Sequence, residues 1–489
     1  MNPGALLRRA FALDTRSLAV FRIGAACVLL ADVAGRFGVL RDFHTDHGVL
    51  PRSAVLAAPG VEFPSAYFAT GSSVGAAILL ALAGVAAIAL LAGWHTRVAT
   101  IASWFLFASA AQRNPTVLHG GDALLRAMLF WAMFLPLGAR WSLDARRAGP
   151  PAPATVIGLA PAAYLLQLAW LYWLAALNKV GPAWLTRGDA LLLALNFDQL
   201  VTPLGLWLKA QPPVLLQALT RGAWLLEAVG PFLLFVSMKG RLRVVAVGLF
   251  TLLHLGFGAA LSLGTFVAIP IVCWVATLPG WCWEGRRADG PAGNPAEAEV
   301  VPRSLVLQAL VAVALIVAAW AGAGRVGLVS LPALVKVAER VSGLEQRWVM
   351  FAPTPRQHDG WWVARAFTAA GDTVDLARGG ARASLDKPRD REGLMRNGYW
   401  RVYLIYLINP SLQDARPWLS RYFCREGGRL GHGAMPERLE LFFVLEWTRP
   451  EGRSARPAPL LLEARQCADT SSAWVALPQI SLPGLYATP

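Results

Sequence analysis

The chain has 489 residues, of which 56% are hydrophobic and 15% charged, with 20 tryptophans and a formal net charge of +15. This is far too apolar for an ordinary soluble domain, and several runs are long enough to cross about 30 Å of hydrocarbon. The basic residues stand in short clusters between apolar runs, without the stripe and stacking aromatics of a nucleic-acid groove, so they read as topology-setting loop charges and no nucleic-acid partner is expected.

Arg8, Arg9 and Arg16 lead into a long first span, Ser17 to Leu40, with no short apolar core and cleavage site of a removable signal. Further spans are predicted at 74–93, 98–112, 122–138, 160–178, 222–238, 244–260, 264–280 and 304–323, about nine in all. The clusters Arg8/Arg9/Arg16, Arg97, Arg140/Arg146/Arg147, Lys239/Arg241/Arg243 and Arg286/Arg287/Arg303 fall in one set of alternate loops, which puts the N-terminus in the cytoplasm. Stretch 244–280 holds two spans only if both are short and break near Gly258 to Gly264; one span with a re-entrant segment is the alternative. The expected fold is an all-α polytopic transmembrane helix bundle over residues 1–323, followed by a small α+β extracytoplasmic domain over 324–489. The excess of arginine over lysine and the abundant Ala, Gly and Pro look like a GC-rich bacterial coding bias, so the bacterial cytoplasmic (inner) membrane is the expected location.

On this topology three polar loops share the outer face. They are Asp42 to Arg52, with His44 and His47 flanking Asp46; Arg113 to Asp122, with His119; and the loop that begins at Asn178-Lys179. Groups from several helix ends must meet around one concavity to make a site at a membrane surface. Segment 189–208, its leucines interrupted by Asp189, Asn196, Asp198 and Pro203, suits a helix lying in the interface and roofing that site. Lys179 closes an almost unbroken apolar run from Tyr164 to Leu177, and an ammonium there must snorkel to water, pair with an acid, or lose its proton.

Arg22, Asp32, Asp122, Arg126, Glu227 and His254 also fall within predicted spans, where ionisable groups face the bundle interior in pairs or line a polar cavity. Asp122 and Arg126, one turn apart, are placed to satisfy each other. Glu227 and His254 each stand alone in an apolar helix. His44 and His47 read as a solvated loop, because their spacing fits no standard metal site, and no metal is predicted. The five cysteines have no metal spacing: Cys27 and Cys273 read as buried small hydrophobes and Cys282 as a residue of the inner rim. Only Cys424 and Cys467 fall in the outer domain, where a disulfide between them is permitted.

In that domain Trp361 to Asp375 reads as a hairpin around Ala370-Gly371-Asp372. Tyr399 to Leu407 and Pro417 to Cys424 read as amphipathic helices, and Leu439 to Trp447 alternates as a strand. Gly285 to Pro302, rich in Pro, Gly, Ala and Glu, reads as a cytoplasmic linker.

Several ordered motifs together resemble a known family. They are Phe21-Arg22-Ile23-Gly24, the His44 to Arg52 loop ending Gly-Val-Leu-Pro-Arg, Asn114-Pro115 followed by Gly120-Gly121-Asp122, Trp141-Ser142-Leu143-Asp144, Asn178-Lys179 with Pro182-Ala183-Trp184, and Trp348 to Pro353. Over about residues 17–360 the chain resembles the horizontally transferred transmembrane (HTTM) domain, the bacterial relative of vitamin K-dependent γ-glutamyl carboxylase. In the animal carboxylase a loop lysine is taken to deprotonate a hydroquinone, after which oxygenation yields a strong base that removes a glutamate γ-proton for attack on carbon dioxide. Lys179 matches that lysine. The carboxylase has a second lysine where this chain has Asn178, and its helix-start histidine has His119 as the nearest candidate here, although an ungapped reading sets Gly121 opposite it.

The chemistry suits an amine, because a hydroquinone hydroxyl and an ammonium have comparable acidity, and desolvation brings lysine's pKa down from about 10.4. The resemblance thus implies Lys179 and His119 as catalytic residues, with Asn178, Trp184, Glu227, His254 and Arg22 as candidate cofactor-binding residues. The implied cofactor is a reduced menaquinone- or vitamin K-like quinone drawn from the membrane lipid, and the implied chemistry is oxygenation, epoxidation or a carboxylation (lyase) reaction, with an extracytoplasmic protein or peptide as acceptor. The alternative is a non-catalytic lipid-binding or accessory membrane protein that keeps the fold.

Overall fold

The computed structural model describes residues 10–57, 64–149, 153–236, 240–284, 299–389, 393–431, 433, 435–448 and 456–468. Among these, six helices are long and apolar enough to cross a membrane: Thr15–Phe37, Ser73–Ala92, Leu159–Asn178, Pro213–Val236, Arg241–Ala260 and Leu305–Arg325. Each corresponds to a predicted span.

The other three predicted segments differ. Thr96–Arg113 has 18 residues but buries Thr96, Thr100, Ser103 and Arg113 among its neighbours. Gly120–Ala132 has 13 residues, about 20 Å of helix. Segment 264–280 is a 3₁₀ turn, Gly264–Phe266, and a short helix, Ala268–Val275. Their apolarity reflects burial in protein: Leu125, Met128 and Trp131, like Ile269, Cys273 and Trp274, are enclosed by other helices. Stretch 244–280 is therefore one full-length helix followed by a short one.

The first helix begins at an Asp14 cap, whose Oδ1 accepts from the Arg16 N–H at 2.8 Å, and packs against Ser73–Ala92 and Ala268–Val275. At the same end a three-stranded ribbon joins Leu13–Asp14, Thr155–Ile157 and Glu299–Val300 in that order. Residues 285–298 of the predicted linker, and Arg8, Arg9, Lys239, Arg286 and Arg287 of the positive clusters, lie outside the described residues.

Beyond Arg325 a short amphipathic helix, Ala333–Ser342, leads to a separate sheet region. Its five antiparallel strands lie in the order Ala381–Arg382, Thr373–Asp375, His358–Thr368, Pro436–Trp447, Ala458–Gln466. The expected hairpin turns at Ala370-Gly371-Asp372, where Gly371 takes φ +83°, a left-handed value that favours glycine. The expected helices are Gly398–Leu407 and Arg416–Leu430, separated by a 3₁₀ turn at Pro410–Ala415. The last strand is one that the sequence reading missed. Cys424 and Cys467 are bonded, which ties the second helix to the end of that strand. Cys27 is exposed on the first helix rather than buried, while Cys273 is buried and Cys282 is half-buried.

The two regions share a core. Val39, Phe43, Val49 and Val117, from the loops at one end of the helical region, join Trp400, Tyr403, Leu404, Leu419 and Tyr422 in a single apolar cluster. Asp42 sits in that interface, 8% exposed, and accepts from the Trp400 Nε1–H at 3.1 Å, the Tyr422 hydroxyl at 2.7 Å and Arg429 Nη2 at 2.8 Å.

Candidate functional site

Leu159–Asn178 stops because Gly181-Pro182 follows it, and the Asn178 side chain folds back to donate to Leu174 O at 2.7 Å. Gly181 lets the next loop approach the 351–354 segment closely: its N–H donates to Pro353 O at 3.0 Å, and a Cβ there would collide with Thr354 Oγ1. This geometry turns Lys179 inward. Its side chain is 5% exposed and Nζ is ion-paired with Glu227 Oε2, which is also buried. Glu227, which the sequence left solitary, is thus the lysine's partner, brought from the Pro213–Val229 helix.

Aromatic side chains enclose the pair. Nζ lies 4.7 Å from the ring centroid of Trp184, whose Nε1–H donates to Phe351 O at 3.2 Å, and Trp224 donates to Ala176 O at 3.2 Å. His254 lies within electrostatic reach of Lys179; its Nδ1 bonds Phe250 O at 2.8 Å and its ring is 5.9 Å from that of Tyr172.

His119 belongs to a second compartment. It caps Gly120–Ala132, its Nδ1 accepting from the Gly121 N–H at 3.1 Å while Asp122 Oδ2 accepts from the His119 N–H at 2.8 Å. Since Nδ1 accepts, the ring proton is on Nε2, which faces Thr265 Oγ1 at 3.3 Å. Phe266 lies between the two histidines, 6.0 Å from the His254 ring and 6.3 Å from the His119 ring. It also lines a cavity of about 730 Å³ between the helical region and the sheet region, as does His119.

The remaining expectations divide. Arg22 is not brought to Lys179: fully buried, it donates to Leu90 O and Leu91 O at 2.8 and 2.7 Å and to Trp141 O at 2.6 Å, satisfying carbonyls at a helix end. Asp122 and Arg126 do not pair, because Asp122 caps its helix and Arg126 bonds Glu345 Oε2 at 2.6 Å. Asp32 pairs with Arg36 at 2.6 Å. The expected solvated loop holds for His47, which is exposed, but not for His44, which is fully buried: neither of its ring nitrogens has a hydrogen-bond partner among the described residues, and burial beside Arg36 and Arg113 holds its pKa well below the ordinary histidine value. No group of three or more metal-ligating side chains occurs among the described residues. Segment 189–208 is two short helices, Ala190–Ala194 and Pro203–Lys209, whose connection puts Phe197, Gln199 and Leu200 on the cavity wall.

Sequence reasoning missed the far wall of that cavity. Arg347, Arg356, His358, Asp359 and Arg401 line it, with His358 and Asp359 at the start of the first long strand. Asp359 accepts from the Asp198 N–H at 2.6 Å. Burial, reinforced by the Asp198 charge and opposed by the Gly360 and Asp198 N–H groups and by Lys387, pushes the Asp359 carboxyl up to about 7. Burial beside Arg356 brings His358 down to about 4.

The two residues pull stability in opposite directions with pH. The folded state holds the Asp359 proton more tightly than the unfolded chain, whose aspartate pKa is about 3.9, so this contribution is complete below pH ~4 and is lost as pH rises through 7. His358 resists protonation when folded, so its contribution is lost as pH falls below ~6.5. Asp359→Asn removes the first effect and keeps the acceptor. The melting temperature of wild type minus that of the variant should therefore fall between pH 5 and pH 8, whereas a constant difference would contradict the assignment.

No curated protein and no solved structure matches the chain. A family match, the HTTM domain, covers residues 11–280, more than half of the chain, and takes in the first helix, the three polar loops and Lys179, Glu227 and His254. By that match, the chain belongs to the HTTM domain family of membrane proteins.

Proposed function

We propose that the chain is a vitamin K-dependent γ-carboxylase-like membrane enzyme, acting on a reduced lipophilic quinone through Lys179. The observation that carries this reading is the buried Lys179–Glu227 pair within an aromatic enclosure. A titratable pair of zero net charge can take up one proton and become ammonium and carboxylic acid. Lys179 would receive the proton at Nζ and Glu227 would store it at Oε2, so that the base is the pair rather than a free amine. Trp184, beside the ammonium, and Tyr172, beside His254, offer aromatic faces of the kind on which a quinone ring would stack. When bound, the quinone would supply an acidic hydroxyl and reducing equivalents for an oxygenation, epoxidation or carboxylation-type reaction. His119, which lines the cavity, would orient groups through Nε2–H.

The same reading keeps the nine-segment topology, with six segments crossing against lipid and the three shorter ones running inside the protein, a cytoplasmic N-terminus, the polar loops and the C-terminal domain outside a bacterial inner membrane, and a protein or peptide as acceptor. One observation favours a second reading, a non-catalytic lipid-binding or accessory protein: the ion pair also joins two helices and by itself accounts for burying Lys179.

Lys179→Arg separates the two. Arginine keeps the charge and the pairing but cannot become a neutral base. Folding should survive, while hydroquinone-dependent oxygen consumption falls by about 100-fold or more. An activity retained at near wild-type rate would remove the base assignment, and absence of quinone binding to the wild-type protein would favour the accessory reading.

A further inference from the structure

The cavity between the two regions is lined by three guanidinium groups, Arg347, Arg356 and Arg401, and by His358. Arg347 makes no hydrogen bond or ion pair among the described residues. Arg356 has one hydrogen bond there, from Nη1 to Ile405 O at 3.2 Å, and Arg401 Nη2 reaches Ser262 Oγ at 3.2 Å. His358 is 8% exposed and its ring nitrogens have no hydrogen bond among the described residues, although it lines the cavity. The lining acids have hydrogen-bond partners of their own, although Asp359 also acts electrostatically on Arg356. Asp32 holds Arg36 and the Tyr399 hydroxyl, Asp122 caps a helix, and Asp359 binds the Asp198 N–H. The cavity is lined as well by apolar side chains, among them Phe197, Leu263, Phe266, Met350 and Phe351.

We propose that this cavity binds a phosphate-bearing amphiphile, its head group held by Arg347, Arg356, Arg401 and His358 and its chain laid on the Phe197–Phe266 wall. Guanidinium forks match the several oxygens of a phosphate, and His358 is a neutral donor suited to the same group. A volume of about 730 Å³ is that of a small-molecule site. The position beside the ends of spanning helices gives a lipid chain access to the apolar wall. An uncharged quinone would make no use of these cations, so the proposal stands apart from the Lys179 reading.

The test is lipid binding by the full chain in a neutral detergent, read by native mass spectrometry, with phosphatidic acid as probe. Phosphatidic acid should bind, and diacylglycerol, which lacks the phosphate, should bind at least about ten-fold more weakly. Arg347→Gln should weaken phosphatidic acid by about ten-fold, and Arg347→Gln with Arg356→Gln by more. Arg347→Lys should retain much of the binding, and Lys179→Arg all of it, which keeps this result distinct from any loss of turnover. Because Arg347 holds nothing in place, its single variant should melt like wild type, so weakened binding cannot be ascribed to misfolding. Inorganic phosphate should not displace the lipid; displacement at millimolar phosphate would assign the site to the free ion and overturn the lipid chain's part. Equal binding of diacylglycerol, or no change on losing Arg347, would overturn the proposal.

Discussion

Glu227→Ala, with Lys179 left in place, is expected to destabilise the protein by about 3–5 kcal/mol, the usual cost of stranding one member of a buried ion pair. The lysine is 5% exposed and has one carboxylate partner; Trp184, which faces its ammonium at 4.7 Å, offers a ring face but no lone pair for hydrogen bonding. Replacing both members, Lys179→Met with Glu227→Leu, removes the charges together and should recover most of the stability, because apolar side chains of similar volume fill the space without desolvating an ion. Thermal melting in detergent, followed by tryptophan fluorescence, reads both variants. A Glu227→Ala protein as stable as wild type would mean that the pair contributes little, and a double variant as unstable as the single would mean that packing rather than charge is at stake. The double variant should also be inactive under the enzymatic reading and fully competent under the accessory one.

The pairing itself was not legible in the sequence. Lys179 and Glu227 are 48 residues apart, with two short helices and a turn between them, and nothing in a single chain links an isolated acid in one helix to a lysine at the end of another. What could be read was local. The lysine's place after an apolar run, the glycine and proline that end its helix, and the Ala370–Asp372 hairpin depend on near neighbours, and the structure has them where the pattern put them. Local reasoning failed where a polar group had two ways to be satisfied. Asp122 and Arg126 had the spacing of a helical pair, yet each found a better partner elsewhere. Arg22 had the look of a cofactor ligand, but three carbonyls take its hydrogen bonds. Apolarity likewise does not say whether a helix faces lipid or protein, and so Gly120–Ala132 was read as a span. The cavity residues Arg347, Arg356 and His358 gave no periodic signal, because they matter only through the fold that gathers them with Phe266 around one cavity.

Asp42 was read as one polar residue in a loop, and its removal is expected to loosen the C-terminal domain from the helical region. In Asp42→Ala the indole N–H of Trp400 and the hydroxyl proton of Tyr422 both lose their acceptor, and these side chains are 2% and 0% exposed. Leaving a buried donor unsatisfied costs about 1–3 kcal/mol each, so the pair together should weaken docking by about 3 kcal/mol or more. Arg429 suffers less, because Glu426 Oε2 accepts from its Nε at 2.8 Å. Asp42→Asn keeps an acceptor oxygen but not the charge, and should fall between wild type and alanine. Because Phe43, Val39 and Val49 from the same loop remain in the shared core, the sheet region should stay folded and move as a unit. Trypsin is the measurement: Lys336, Arg340 and Arg347 lie in the connection between the last spanning helix and the first long strand, and should be cut faster once docking weakens. An unchanged cleavage rate in Asp42→Ala would show that the apolar cluster alone holds the regions together. Faster cleavage with the disulfide-tied helix and strand still resistant would locate the loss at the interface, where the Asp42 hydrogen bonds are.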